Sequence, residues 1–270
     1  MPNRFIDRLF GTFWRHLQRL DAQFDLVVCA NPELTKRLRS GRVVKAETIP
    51  MGVEPGVFSP RLRSVELRNA ALESLGLSPE ACLFIGVGRL SAEKRWEMAI
   101  AAVSRAGRDV GLLLVGDGLQ RRQLEKLAAR AGNARVIGPI AERGELARLM
   151  ASADALVHGC EAETFCMVAA EARASGIPLI VPDRGAAPSH VVPGAGLLYG
   201  SAKRQSLEAA MRQFADQGHE LQRMRAVLHS EVRTMDVHFE QLFERYALLG
   251  AASQRLPPPF AGSSEAAAVA

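Results

Sequence analysis

Between Ala81 and Val181 short apolar runs alternate with longer amphipathic ones. Cys82-Leu83-Phe84-Ile85-Gly86-Val87, Val110 to Val115, Arg135-Val136-Ile137, Ala155-Leu156-Val157 and Leu179-Ile180-Val181 read as strands. Trp96 to Ala106, Leu119 to Ala131, Glu145 to Met150 and Phe165 to Ala174 read as helices between them. Apolar strands that each lead into a helix predict an α/β fold, a doubly wound parallel sheet covered on both faces. In such sheets ligands gather where loops leave the carboxyl ends of the strands. Gly88-Arg89, Gly116-Asp117-Gly118, Gly138-Pro139 and His158 to Glu163 all follow an expected strand and should line that edge.

Outside this stretch the pattern thins. Phe24 to Ala30 and Thr48-Ile49 read as strands, and Asn31-Pro32-Glu33 as an N-cap with proline at the first helical position. These few elements cannot bury a core alone, so residues 1–50 are expected to be the remnant of an N-terminal domain. Residues 51–60, with Gly52, Pro55, Gly56 and Pro60, read as a linker, and 61–235 as the main domain. Gln205 to Gln217 and Asp236 to Leu249 read as helices. A C-terminal helix is thus expected over 236–250, followed by a disordered tail over 251–270, rich in Pro, Ser and Ala.

With 270 residues, 48% hydrophobic and 23% charged, the chain can build a sizeable core. No apolar stretch reaches the ~18 uncharged residues of a membrane span, and no signal peptide opens the chain, so a cytoplasmic location is the default. Cys29, Cys82, Cys160 and Cys166 form no Cys-x-x-Cys pair and are expected as reduced structural thiols. The net charge of +5 is mild, and no basic run is interleaved with aromatics, which speaks against nucleic acid. Over residues 4–20, Phe5, Ile6, Leu9, Phe10, Phe13, Trp14, Leu17 and Leu20 make an apolar stripe among arginines. It suits either an anionic membrane surface, which would make the protein peripheral at the inner face, or packing against a missing domain or partner chain. In this chain alone the stripe should be exposed, and so should the apolar face of the last helix.

The candidate chemistry centres on Glu163 and Glu171, eight residues apart in a segment closed by Ser175-Gly176-Ile177-Pro178. With a helix starting near Phe165 they would lie up to ~12 Å apart along the axis. Carboxylates that share one glycosidic bond stand closer, at roughly 5 to 9.5 Å. The wider spacing suits a ligand with hydroxyls at both ends and a charged centre, as in a nucleotide sugar.

Four segments in order then carry a resemblance: Ile49-Pro50-Met51-Gly52-Val53-Glu54 through Phe58-Ser59-Pro60; Val87-Gly88-Arg89-Leu90-Ser91-Ala92-Glu93-Lys94; Leu113-Leu114-Val115-Gly116-Asp117-Gly118; and Glu163 through Pro178. From about Phe24 to Tyr246 the chain resembles the donor-binding C-terminal half of retaining GT-B glycosyltransferases of the family-4 type, shortened at its N-terminus. The resemblance implies a Rossmann-like domain and transfer of a hexose, with retention, from a UDP- or GDP-linked sugar. It implies that Arg89 and Lys94 stabilise the diphosphate, helped by the N-terminus of the helix near Phe165, so that neither metal nor other cofactor is needed. By the same carry-over Glu163 contacts sugar hydroxyls, Glu171 holds the ribose, and backbone around Gly138 to Ile140 holds the base. Gly88, Gly116, Thr164, Phe165, Cys166 and Met167 complete the expected donor site. The acceptor would be a polysaccharide or a lipid-linked glycan.

Two departures follow. Cys166 stands where the family usually has glycine, implying a narrowed donor pocket or, more sharply, a cysteine nucleophile. Most of the acceptor domain is absent from this sequence, so a separate chain supplies it, the start site is misplaced, or the chain is an idle nucleotide-sugar-binding module. No strand is followed by Gly-x-Gly-x-x-Gly, which speaks against an NAD-dependent oxidoreductase. His158, His190 and Asp183-Arg184-Gly185 lie near the same edge but carry no motif of their own.

Overall fold

A computed structural model describes residues 4–217 and 219–255. Helix α1 (Arg4–Gln23), strand β1 (Val27–Cys29), helix α2 (Pro32–Ser40) and strand β2 (Ala46–Thr48) form a small unit with β1 and β2 paired in parallel. Asn31 caps α2 as its sequence suggests, its side chain accepting from Leu34 N at 2.7 Å. The unit has a core of its own, Cys29, Val43 and Ala46 under Trp14 and Leu17. The expected exposure of the α1 stripe is therefore corrected at Trp14 and Leu17, which pack, and holds at Phe13. The side chains of residues 4–10 lie outside the described residues.

Helix α3 (Val65–Ser74) leads into strand β3 (Cys82–Val87), helix α4 (Trp96–Ala106), strand β4 (Val110–Val115), helix α5 (Arg121–Ala131) and strand β5 (Ala134–Gly138). There follow α6 (Arg143–Ser152), β6 (Ala155–Val157), α7 (Met167–Ala174), β7 (Leu179–Pro182), β8 (Gly196–Tyr199), α8 (Arg204–Asp216) and α9 (His219–Leu228). Six parallel strands run in the order β5-β4-β3-β6-β7-β8, so the chain turns back between β3 and β6, the switch point at which doubly wound sheets bind ligands. One apolar cluster fills each face. Leu83, Ile85, Leu113, Leu156 and Met150 lie on one side, and Phe84, Trp96, Leu112, Leu114 and Phe214 on the other.

Helix α10 (Met235–Arg255) begins beside the linker and returns to the small unit. Val53 N and Met235 N exchange hydrogen bonds with Arg233 O and Val53 O at 2.9 and 2.8 Å, and Arg245 pairs with Glu47. The helix passes the expected limit at 250, and the rest of the expected tail, residues 256–270, lies outside the described residues. Phe239, Phe243 and Tyr246 remain exposed along it, as expected.

Candidate functional site

The loops expected at the carboxyl edge are there, and they are tied to one another. Gly88 N donates to Val115 O at 3.0 Å, and Gly116 N donates to Gly138 O at 2.9 Å. Glycine is required at 116, where φ is +151° and a β-carbon would stand 1.9 Å from Gly88 O. Gly88 lines a groove of about 310 Å³ together with Lys94, Glu163, Thr164, Phe165, Cys166, Met167 and Glu171. Gly116 and Gly138, both expected in the donor site, do not line it. Ile140 borders a larger open cavity of about 1240 Å³, and Arg143 borders both.

Lys94 is aimed by local geometry. A 3₁₀ turn over Ala92–Lys94 ends on Arg95 in the left-handed region, and Arg95 Nη2 is held by Glu161 Oε1 at 2.8 Å. Gly159 leaves room for this turn, since a β-carbon there would come within 2.4 Å of Lys94 O. The result is an ion pair between the Lys94 ammonium and Glu163 Oε1, with the side chains 14% and 20% exposed. Arg89 is not brought in. Its guanidinium is 80% exposed and lies 3.4 Å from Glu93 Oε1. The loop is anchored by its backbone, with Trp96 Nε1 donating to Arg89 O at 2.8 Å.

His158, at the end of β6, is fully buried with Nε2 3.5 Å from Glu163 Oε1. Neither ring nitrogen makes a hydrogen bond of good geometry, although the Cys160 backbone lies near enough to act on the ring. Burial, and after it the nearby Lys94 ammonium, pull its pKa from the ordinary 6.5 to about 4, so the ring is neutral at pH 7. Its position after a strand was legible in the sequence, but its contact with Glu163 was not.

Helix α7 starts at Met167, two residues later than the pattern suggests, because Cys166 takes φ 70° and ψ 65° and serves as the N-cap. Its thiol is 2% exposed and packs into the core, and burial raises its pKa to about 12. That removes the nucleophile reading, since the thiolate is the reactive form. The side chain turns into the core at the groove wall, and the left-handed backbone is itself a reason for glycine in this position. Thr164 O accepts from the Asn31 amide, tying the segment to the small unit. His190 Nε2 lies 2.7 Å from Phe165 O with its ring edge-on to Phe165, a structural role.

Glu171, with its side chain 9% exposed, receives Arg143 Nη2 on Oε1 at 2.7 Å. Arg143 also lies 3.4 Å from Glu54 Oε2 and stands 4.9 Å over the Phe58 ring. No motif in the sequence pointed to Arg143. As for metals, the ligand atoms of His158, Glu163 and Cys166 lie within 4.8 Å of one another. The Lys94 ammonium already balances Glu163, and the high thiol pKa works against metallation, so the donor set fits a divalent cation poorly. No helix among the described residues is long and apolar enough to cross a membrane.

Comparison with known proteins gives the chain's family and its fold. A GDP-mannose-dependent alpha-mannosyltransferase of Corynebacterium glutamicum is 34% identical over 217 residues, 79% of this chain and 50% of that protein. One of the same description from Mycolicibacterium smegmatis is 33% identical over 181 residues, 67% of this chain and 45% of its own length. The chain thus spans about half the length of these curated relatives. The crystal structure of Anabaena Alr3699/HepE in complex with UDP and glucose superposes with a TM-score of 0.71 at 22% identity, over 87% of this chain and 67% of that one. That likeness carries the fold alone, a parallel sheet flanked by helices as in GT-B proteins. The model of the family described as glycosyl transferases group 1 matches residues 68–227, more than half of the sequence, and the chain belongs to that family.

Proposed function

We propose that this chain supplies the donor site of a retaining, metal-independent glycosyltransferase that moves a hexose from a nucleotide diphosphate sugar. The observation that carries the reading is the groove at the sheet's switch point, where Lys94, Glu163, Glu171 and the N-terminus of α7 converge. A leaving nucleoside diphosphate gathers negative charge, and fixed cationic donors lower its energy most where water is excluded. Lys94 fills that role by leaving Glu163 for the phosphates, and Arg89, turning in from solvent, adds a second cation. The amide groups at the start of α7 add a favourable dipole. Glu163, once released, accepts from sugar hydroxyls, and Glu171 accepts from the ribose. The base lies along Gly138 to Ile140.

The similarity to GDP-mannose-dependent enzymes makes GDP-mannose the first donor to test. The acceptor, a polysaccharide or lipid-linked glycan, requires a second surface in this reading, as does any contact of residues 4–20 with a membrane or partner. Calorimetric titration of GDP and UDP provides the test. GDP should bind, and Lys94→Ala should weaken it at least tenfold; a chain that binds neither nucleotide sinks the assignment. Retention is checked by the anomeric configuration of the product in NMR.

A further inference from the structure

Arg143 sits at the first position of α6 and draws three segments together. Its Nη2 donates to Glu171 Oε1 at 2.7 Å, its Nε lies 3.4 Å from Glu54 Oε2 in the linker, and its guanidinium covers the Phe58 ring at 4.9 Å. Glu171 needs such a partner. Its side chain is 9% exposed, and a buried carboxylate without a cation takes up a proton rather than stay charged. Among the described residues Arg143 is the cation paired with Glu171, and no described group donates to Glu171 Oε2.

We propose that Arg143 is the positioning residue for Glu171, holding one carboxylate oxygen so that the group stays ionised and presents the other to the ribose hydroxyls of the bound nucleotide. This rests on the donor reading above. The division of labour follows from the geometry of a carboxylate, whose two oxygens accept independently. Arg143 uses one and fixes the plane of the group, which leaves a charged acceptor facing the groove. Charge-assisted hydrogen bonds are roughly twice as strong as neutral ones, so protonation of Glu171 would weaken nucleotide binding.

The groups that act on Glu171 set the expected pH dependence. Burial raises its pKa, Arg143 lowers it and Glu54 opposes Arg143, while Lys94 and Glu163 face the same groove as a mutually neutralised pair. Removing Arg143 leaves burial and Glu54 unopposed, so Glu171 takes up its proton at a higher pH. Binding then fails first at low pH and returns as pH rises.

The test is GDP affinity by calorimetry from pH 6 to 8.5, as a ratio to the wild-type chain, with folding checked by circular dichroism. Arg143→Gln should bind at least tenfold more weakly at pH 6 and recover to within about threefold at pH 8.5. Glu171→Gln should be weak at every pH, and Arg143→Lys should fall between wild type and Arg143→Gln. Should Arg143→Gln fail to fold, Arg143→Lys carries the test: an ammonium keeps the charge but lacks the planar two-nitrogen fork that spans Glu171 and Glu54, so it opposes burial less well and a several-fold loss at pH 6 that recovers is expected. Wild-type affinity or a loss independent of pH in the Arg143 variant that folds overturns the inference, and so does wild-type affinity in Glu171→Gln. In those cases a wild-type chain that binds GDP leaves the donor site standing. If the wild-type chain binds no nucleotide, the donor reading fails and takes this inference with it.

Discussion

Asp154 and His158 stand just outside the two ends of β6, both fully buried, and only Asp154 is held by a full set of well-formed hydrogen bonds. At the amino end Asp154 accepts from Arg68 Nε and Nη2 at 2.9 and 2.7 Å and from Leu83 N at 2.8 Å, with Arg63 at 3.5 Å. Arg68 also donates to Pro79 O and Ala81 O, each at 2.7 Å. At the carboxyl end His158 makes no hydrogen bond of good geometry, with the Cys160 backbone nearby and Glu163 at 3.5 Å. Buried polar groups normally find partners, and those that do not call for a reason outside folding. The contrast separates the ends of the sheet: one is closed and serves stability, and the other keeps unused hydrogen-bonding capacity where a ligand would sit.

The comparison breaks most visibly at Asp154. Asp154→Ala leaves Arg68 charged and buried among carbonyls, and breaking such a pair from one side costs about 3 to 5 kcal/mol. Urea denaturation should show that loss at neutral pH. A cost near zero would mean that the closed end is not what holds β6 in place.

His158 should behave differently. Replacing it with Phe removes polar atoms that lack a well-formed hydrogen bond but adds volume to a filled site, so at pH 7.5 it should cost well under the about 3 to 5 kcal/mol of Asp154→Ala. Its signature lies in the pH dependence. With a folded pKa of about 4 against 6.5 unfolded, the unfolded state binds the proton first as pH falls. The stability is fully present above pH 6.5 and declines toward pH 4, by on the order of 3 kcal/mol from this group. His158→Phe should flatten that slope in denaturation series run at each pH. If the variant instead loses as much stability at pH 7.5 as Asp154→Ala, the two ends of β6 are alike and the contrast fails.

The same contrast explains what could be read from the sequence. Strands such as Cys82–Val87 and Val110–Val115 were legible because each is buried on both faces and therefore apolar without interruption. The edge strand Gly196–Tyr199 carries no clear apolar signal because it is short and half-exposed, and α3 because its apolar face is weak. Of the site, Lys94, Glu163 and Glu171 were reachable through a motif of local spacing. Arg143 was not, since its partners Glu54 and Glu171 come from distant segments brought together only by the fold. Arg89 was expected in the groove and lies in solvent, because its backbone rather than its side chain is fixed by Trp96.

Cys166 offers the smallest effect and the finest test of the open end. A side chain in the left-handed region costs about 1 to 3 kcal/mol, which glycine avoids. Cys166→Gly recovers that strain but gives up a buried thiol and adds chain entropy to the unfolded state, so a net change within about 1 kcal/mol is expected. Cys166→Val keeps an apolar side chain of similar size and adds β-branching, which the left-handed region tolerates least, so it should be clearly the less stable of the two. Thermal denaturation of both variants beside the native chain decides the matter. Should valine be accepted as readily as glycine, the turn before α7 is not locked by backbone conformation, and the aim of Glu163 toward Lys94 must come from their ion pair alone.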